Sequence, residues 1–356
     1  MGMRKQRGTS VCKIVCFIAI CLVTLLCLSY LFRPVSISRK NICGFYAEQK
    51  NTLDMVYIGG SACYRYWEGL QAWNDYGFTS FNIAADAIQP QVLKYLVKEA
   101  QKTQSPQLFV VDLRPFQYGD LYSQQEELLN MERVAPFRNV SDSMKYSLNR
   151  YQMIENGAPS GEERWTYHFD LAKYHSLVVS LLQKDNWRYL DNEESLDNKG
   201  FWENDEVSSI LRTDFSDVTE VQPLSEEVDG IFRDLLTYCK ENHLEVLFVV
   251  HAYQIAEEDQ KKYNYMKQVI EEEYGFDYLN VNDYFEEIGF DPDHDFYNMD
   301  HANLLGADKY TNFLAGYIHR TYQLPDHREE ESYESWNDCF INWSREMDAV
   351  RERMLQ

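Results

Sequence analysis

Hydrophobic positions divide this chain into one long apolar run near its start and a series of short apolar runs separated by amphipathic segments. The long run, at 14–32, carries no charge and meets the roughly 20 residues that a helix needs to cross a hydrocarbon core. A cleaved signal peptide has a shorter apolar region. The pattern therefore predicts an uncleaved transmembrane signal anchor, with a linker at 33–52 behind it.

The charges on either side of this run bear on its orientation. Four basic residues precede it and three follow it, so the bias that keeps positive charge in the cytoplasm is weak. We expect 1–13 on the cytoplasmic side and the acidic remainder outside. The prediction is a single-pass protein of the cell membrane with an extracytoplasmic C-terminal domain.

Five of the short apolar runs have the length and the β-branched and aromatic content of strands. They are hydrophobic throughout, which is typical of a parallel sheet covered on both faces. The predicted strands are 55–58, 80–84, 107–113, 245–250 and 277–281, and the predicted helices are 62–76, 90–104, 226–242, 257–273 and 304–322. This alternation predicts an α/β fold class: a three-layer α/β/α domain at 53–323 with a five-stranded parallel sheet.

Two segments depart from the alternation. Between the third and fourth strands the chain becomes polar and aromatic, so 116–223 is predicted to be an insertion. At 331–356 apolar residues recur at intervals of four and three, which predicts one seam on an amphipathic helix. They are Trp336, Phe340, Trp343, Met347, Val350 and Met354. This helix either packs back on its own domain or offers a seam to a partner.

Composition and charge narrow the function classes. The chain has 356 residues, of which 45% are hydrophobic, and a formal net charge of −23. Sequence-independent binding of nucleic acid depends on Lys and Arg side chains against phosphates. We therefore expect no nucleic-acid partner.

The eight cysteines show no metal-site pattern. Four of them lie in or beside the long apolar run, and Cys43, Cys63, Cys239 and Cys339 are scattered without a CxxC pair or a Cys/His cluster. We predict no metal and no cofactor. These four are expected to be small buried hydrophobes, unless two of them form a disulfide in an exported domain.

The turn after the first predicted strand is the first candidate for chemistry. Gly59 and Gly60 permit a tight strand-to-helix turn, and Ser61 follows them. Ser61 is either the cap of the next helix or a nucleophile at the carboxyl end of the sheet, where open α/β folds place their sites.

A histidine later in the chain is the candidate base, because a serine hydroxyl needs one within hydrogen-bond reach to act as a nucleophile. His301 lies in the loop after the fifth predicted strand, with Asp295 and Asp300 near it, and this loop reaches the same sheet edge. A carboxylate on the second ring nitrogen would fix the imidazole tautomer. Asp295 is favoured over Asp300, because neighbouring side chains in an extended stretch point to opposite faces.

Three sequence blocks resemble the SGNH/GDSL hydrolases: YIGGS at 57–61, FNIA at 81–84 and FYNMDHANLLGADKYT at 296–311. They are most similar to membrane-anchored, exported members from Gram-positive bacteria, over roughly 54–322. The resemblance implies an SGNH or flavodoxin-like sheet, with Ser61 as nucleophile and His301 as base. It also implies an oxyanion hole made by the N–H of Ser61, an N–H in the second block, where Ala84 replaces glycine, and an asparagine in a third block.

The last block departs from the family at the position that orients the histidine. The residue three before the histidine is usually aspartate, and here it is Asn298. The resemblance therefore leaves three alternatives: Asp295 orients His301, Asp300 does, or the serine and histidine work without an acid.

The oxyanion position also departs from the family. The third strand ends in VDLRPF, so Asp112 and Arg114 stand where the asparagine would lie. Arg114 either stabilises an oxyanion or forms a structural ion pair with Asp112. His251 ends the fourth strand and either lines the substrate pocket or caps the strand. The candidate oxyanion or substrate-binding residues are Ala84, Arg114, His251 and Asn298.

The resemblance implies a membrane-anchored esterase or O-acyltransferase that works through a seryl intermediate. Its expected substrate is an acylated cell-envelope polysaccharide or teichoic acid, and its expected partner is a polytopic membrane acyltransferase. The competing hypothesis is a catalytically inactive protein of the same fold that serves such an acyltransferase as a binding or scaffold protein. The departures favour the second hypothesis, and Ser61 and His301 favour the first.

Overall fold

Five parallel strands form one sheet in the order β2-β1-β3-β4-β5. In a computed structural model the chain is described at residues 2–119, 136–159, 163–174 and 196–355, and its side chains from residue 11 onward. The strands are β1 Met55–Gly59, β2 Ser80–Ala84, β3 Leu108–Asp112, β4 Val246–Val250 and β5 Asp277–Asn280. The predicted α/β class with a five-stranded parallel sheet is confirmed, and the predicted strand bounds agree within one residue.

Helices lie around this sheet. From the N-terminus to the residues that follow β3, the helices are α1 Gly2–Leu31, α2 Ile37–Ala47, α3 Ser61–Tyr66, α4 Gly69–Tyr76, α5 Pro90–Ala100 and α6 Arg114–Gln117. The helices described inside the predicted insertion are α7 Pro136–Ser141, α8 Leu148–Gly157, α9 Trp165–His168 and α10 Asp170–Tyr174. After it come α11 Glu226–Glu241, α12 Glu257–Gln268, α13 Phe285–Ile288, α14 Leu304–Tyr322 and α15 Glu334–Met354. The insertion prediction, 116–223, also covers 120–135, 160–162 and 175–195, which lie outside the described residues.

Alternate side chains of β1 enter two hydrophobic cores, one on each face of the sheet. Val56 and Ile58 lie in one core, and Met55 and Tyr57 lie in the other. Because both faces are covered, β1 is buried along its whole length, as are β2, β3 and β4. This burial is the physical reason for the uninterrupted apolar runs in the sequence.

The segment 33–52, predicted as a linker, belongs to the folded domain. Ser36 caps α2, its Oγ accepting the N–H of Arg39 at 3.1 Å. Phe45 of α2 is buried and meets the ring of Phe81 in β2 edge-on, with centroids 5.7 Å apart. The linker prediction is corrected because apolar side chains of this segment, Ile42 and Phe45, fall on one helical face and pack in the core beside the sheet.

The end of α1 is fixed to the insertion. The stretch Val11–Leu31 is long and apolar enough to cross a membrane, with a mean hydropathy of 2.8. Its side chains are mostly exposed, and only Ser29 and Leu31 at its end are buried. Directly after it, Arg33 forms an ion pair with Asp170 of α10 at 2.7 Å, and both side chains are fully buried. Arg150 of α8 donates to the same carboxylate at 3.3 Å. This helix end is therefore held by a buried ionic contact with the domain.

The C-terminal helix α15 packs on its own domain, which is the first of the two interpretations of its apolar seam. Trp336, Trp343, Met347 and Val350 are buried in the core. The ring of Trp336 lies 5.4 Å from that of Trp73 in α4. Residues 331–333 form a separate short turn before the helix begins.

All eight cysteines are free thiols. Cys43, Cys63 and Cys239 are buried, as expected of small hydrophobes, whereas Cys339 is half-buried. The disulfide that an exported domain would allow is not formed.

Candidate active site

Ser61 is the first residue of α3 and stands directly behind the carboxyl end of β1. Gly60, in an extended conformation, is the cap of α3, and no side chain caps this helix. The interpretation of Ser61 as a capping residue is therefore wrong, and its hydroxyl is free for another contact.

The glycines before Ser61 allow β3 to approach closely. A Cβ atom at Gly59 would collide with the side chains of Asp112 and Cys63. The turn thus needs glycine at this position for space, and the close approach brings the end of β3 beside Ser61.

His301 meets Ser61 from a short antiparallel hairpin. Its strands are β6 Phe296–Asn298 and β7 His301–Ala302, which the sequence pattern did not predict. Nε2 of His301 lies 2.7 Å from Oγ of Ser61. The ring of Tyr297 stacks on the imidazole, with centroids 5.4 Å apart and planes at 17°. The topology therefore brings the two predicted catalytic residues together, across 240 residues of chain.

Asn298 fixes the tautomer of His301. Its Oδ1 lies 3.0 Å from Nδ1 of His301 and also accepts the backbone N–H of Asp300 at 2.9 Å. A backbone N–H can only donate, so the amide atom that faces it must be the oxygen. Nδ1 of His301 then carries the proton, and the Nε2 lone pair faces Ser61. This is the tautomer that a general base requires.

Neither of the predicted aspartates contacts the imidazole. Asp295 is buried, and its Oδ2 accepts the N–H of Asp291 at 2.6 Å and a hydrogen bond from Lys309 at 2.5 Å. The preference for Asp295 as the orienting residue is corrected for a simple reason. The hairpin register pairs position 298 with His301, so the residue opposite the histidine, and not one at the hairpin base, faces its second nitrogen.

Asp300 has a different partner, Arg114. The guanidinium of Arg114 forms an ion pair with the carboxylate of Asp300 and donates to its carbonyl oxygen at 3.3 Å. The predicted pair of Arg114 with Asp112 is replaced by this one. The Asp112 carboxylate instead accepts the N–H of Arg114 at 3.0 Å and that of Gly60 at 3.4 Å.

His251 lies at the same sheet edge, buried between the rings of Tyr66 and Tyr253 at 5.0 and 5.5 Å. Its Nδ1 is 3.4 Å from the Asp112 carboxylate, too far for a strong hydrogen bond. Among the described residues neither ring nitrogen has a hydrogen-bond partner. Burial lowers the pKa of His251, so the ring is neutral. The imidazole therefore does not cap the strand, and its role in lining a substrate pocket stays a prediction.

The electrostatics of the site keep His301 neutral. Burial lowers its pKa to about 2, with further lowering by the positive charges of Arg114 and Arg65 and by His251. The imidazole is thus an unprotonated base at physiological pH. Among the described residues no carboxylate contacts the imidazole, and Asn298 offers only a neutral oxygen to its second nitrogen.

Ala84, the predicted oxyanion donor, is buried in the sheet and pairs with Gly59. The N–H of Ala85 donates to the carbonyl oxygen of Gly59 at 3.3 Å. The N–H of Asn82 points to the other side of the strand and donates to the carbonyl oxygen of Lys199 at 3.2 Å. Successive N–H groups of a strand alternate in direction. The N–H of Ala84 therefore points to the outer edge of β2, away from Ser61, and this assignment is corrected.

The loop after β2 holds the site features that the sequence pattern missed. Ala87 has a φ of +47°, a left-handed conformation that favours glycine. Ile88, beside it, lies 3.4 Å from the position that a Cβ of Gly60 would take, so the loop covers the serine turn. The strained backbone at a non-glycine residue is the signal of a constrained site, and no residue pattern reveals it.

Arg65 and Tyr297 were also missed, because their relation to His301 exists only after folding.

Within the described part of the chain, no group of three or more His, Cys, Asp or Glu side chains is arranged to hold a metal. No family model matches the sequence, and no curated protein matches it.

Proposed function

We propose that this protein is a membrane-anchored, serine-dependent esterase or O-acyltransferase of the SGNH/GDSL type. One observation carries the proposal: the 2.7 Å contact between Ser61 Oγ and the Nε2 atom of His301, in the tautomer that leaves Nε2 as acceptor. The position of Ser61 at the carboxyl end of a central parallel strand supports it.

The reaction proceeds through an acyl group on Ser61. Oγ attacks the ester carbonyl while its proton passes to Nε2 of His301. That proton leaves with the alcohol, and the acyl group stays on the serine. Water or an acceptor alcohol then attacks the acyl carbonyl and gives its proton to Nε2 of His301. The bond between the acyl group and Oγ breaks, and the proton passes from Nε2 back to Oγ, which completes hydrolysis or transfer.

The tetrahedral intermediate needs hydrogen-bond donors for its oxyanion. The N–H of Ser61 has no acceptor within α3, because it belongs to the first helical residue. The loop that contains Ile88 covers the same turn. Arg114, at the end of the neighbouring strand, adds positive charge to this edge.

The proposed substrate is an acylated cell-envelope polysaccharide or teichoic acid, and the proposed partner is a polytopic membrane acyltransferase. The apolar stretch of α1 supports a site held near a membrane surface. In this proposal α1 spans the cell membrane once and 33–356 is extracytoplasmic.

A second candidate is a catalytically inactive protein of this fold that binds and assists an acyltransferase. Two observations favour it. Asn298 supplies a neutral contact where a carboxylate would stabilise the imidazolium. The Asp112 carboxylate lies 3.4 Å from the N–H of Gly60, where an oxyanion would need donors rather than acceptors.

A serine-reactive fluorophosphonate distinguishes the two candidates when applied to the full chain in detergent. The wild-type protein and the exposed-serine control Ser105→Ala should become labelled, and Ser61→Ala should not. His301→Gln should slow labelling strongly, because the hydroxyl loses its base. An unlabelled wild-type protein would overturn the catalytic proposal and favour the scaffold function.

A further inference from the structure

Arg65 lies one helical turn beyond Ser61 in α3. Side chains four residues apart share a helix face, so Arg65 and Ser61 point to the same side. The guanidinium lies over the ring of Tyr297 at 5.5 Å, and Tyr297 in turn stacks on His301. Arg65 thus belongs to the wall that surrounds the serine–histidine pair.

The polar contacts of Arg65 leave its charge uncompensated. Nη1 donates to the backbone carbonyls of Trp202 and Glu203, at 2.7 and 2.5 Å. Nε is buried and has no hydrogen-bond partner among the described residues. In the same part of the chain no carboxylate forms an ion pair with this guanidinium, whereas Arg114, the other arginine of the site, is paired with Asp300.

The nearby acidic groups do not fill this role. Asp86 accepts hydrogen bonds from Tyr64 and Ser38, and the side chain of Glu203 is exposed. A partly buried cation is costly without a counter-charge. The chain has 57 acidic and 34 basic residues, yet among the described residues no carboxylate is paired with this guanidinium beside the nucleophile.

We propose that Arg65 binds an anionic group of the substrate, a phosphate or a carboxylate, close to the ester that Ser61 attacks. This inference rests on the proposed function and names its substrate class: anionic esters are preferred over neutral ones. A guanidinium suits this role because its planar donors match both anions. Arg65 is a specificity residue and takes no part in the proton transfer.

The first test compares 4-acetoxybenzoate with its neutral methyl ester as substrates of the full chain. In Arg65→Gln, which keeps amide donors but no charge, the ratio of kcat/KM for the anionic to the neutral ester should fall about 10- to 100-fold. Arg65→Lys should retain most of the preference. The control Arg212→Gln removes an arginine that also donates to two backbone carbonyls, away from Ser61, and should leave the ratio unchanged. An unchanged ratio in Arg65→Gln would overturn the proposal.

The second test needs no turnover, so it separates this inference from the proposed function. Phenyl phosphate and benzoate are titrated calorimetrically into Ser61→Ala, with benzyl alcohol as the neutral probe. At least one anion should bind, and its affinity should fall about 10-fold or more when Arg65→Gln is added. Preference between the two anions distinguishes phosphate from carboxylate. Equal affinity with and without Arg65, or no binding of either anion, would contradict the role of Arg65 even if the esters are hydrolysed.

Discussion

Asn298 and His301 face each other across a tight hairpin, with Oδ1 of the amide 3.0 Å from Nδ1 of the imidazole. The same oxygen accepts the N–H of Asp300, which holds the amide in one orientation. An asparagine thus sets the tautomer that a carboxylate would ordinarily set. It orients the base but contributes no negative charge to the imidazolium.

The first prediction concerns the charge at this position. Asn298→Asp should raise the pKa of His301, because a carboxylate stabilises the imidazolium. The rate of fluorophosphonate labelling at pH 7 should increase by about 10-fold or more.

Removal of the same contact should have the opposite effect. Asn298→Ala should slow labelling by about 10- to 100-fold, since the ring is no longer oriented. The exposed Asn74→Ala is the control and should label like the wild type. A normal labelling rate in Asn298→Ala would mean that the hairpin alone orients the ring.

The second prediction follows from the low pKa of His301. The labelling rate should not fall as pH decreases through the ordinary histidine range near 6.5, because the buried ring stays neutral down to a pKa of about 2. Labelling measured between pH 8 and 5 tests this. A sharp loss centred near pH 6.5 would show that His301 titrates normally.

The same shift predicts a loss of stability in acid. Below pH 6.5 the histidine of the unfolded chain takes up a proton and the folded one does not, so the free energy of unfolding decreases as pH falls. His301 should account for at most about 2 kcal/mol of the decrease by pH 5. Urea unfolding at pH 7 and pH 5 should show a smaller decrease for His301→Gln than for the wild type.

The third prediction separates Asp295 from catalysis. Asp295→Asn should lower the free energy of unfolding by about 1–3 kcal/mol, because it removes the charge that holds Lys309 and weakens an acceptor of a backbone N–H. The pH dependence of labelling should stay unchanged. Asp293→Asn, at an exposed neighbouring position, should change stability by less than about 0.5 kcal/mol. A labelling defect in Asp295→Asn without loss of stability would restore its predicted catalytic role.

The fourth prediction concerns the strained loop that covers the serine turn. Ala87→Gly should raise the free energy of unfolding by about 0.5–1 kcal/mol, since the left-handed conformation costs alanine more than glycine loses in the unfolded chain. Ala85→Gly, at a buried position without positive φ, should destabilise the protein. Urea denaturation measures whether the free energy of unfolding rises in Ala87→Gly and falls in Ala85→Gly. Destabilisation of equal size in both variants would argue against strain at Ala87.

The fifth prediction concerns topology. Protease added to intact cells should digest the domain beyond the apolar stretch of α1 if that domain is extracytoplasmic. Digestion only after lysis would reverse the proposed orientation and remove the cell-envelope substrate from consideration.

The periodicity of the sequence alone predicted most of the fold. Short, uninterrupted apolar runs occur where a strand is buried on both faces, so the five strands were placed within one residue. The helix at 304–322 was placed with its observed bounds, because amphipathic spacing is local information. The meeting of Ser61 and His301 was also predictable, because parallel strands with helical crossovers bring successive loops to one sheet edge.

Tertiary structure decided the partners within that edge. No local pattern specifies the hairpin register, which places Asn298 against the second nitrogen of His301. The carboxylate of Asp295 instead contacts Lys309. Arg114 forms its ion pair with Asp300, 186 residues away in the chain, and not with the nearby Asp112.

The packed helix α2, the outward N–H of Ala84 and the unpaired charge of Arg65 likewise depend on contacts between distant segments. Periodicity reports which face of an element is buried, since that is a property of neighbouring residues. Which polar group meets which is set only when the elements pack, because the energy of a hydrogen bond or ion pair depends on the final distance and burial of both partners.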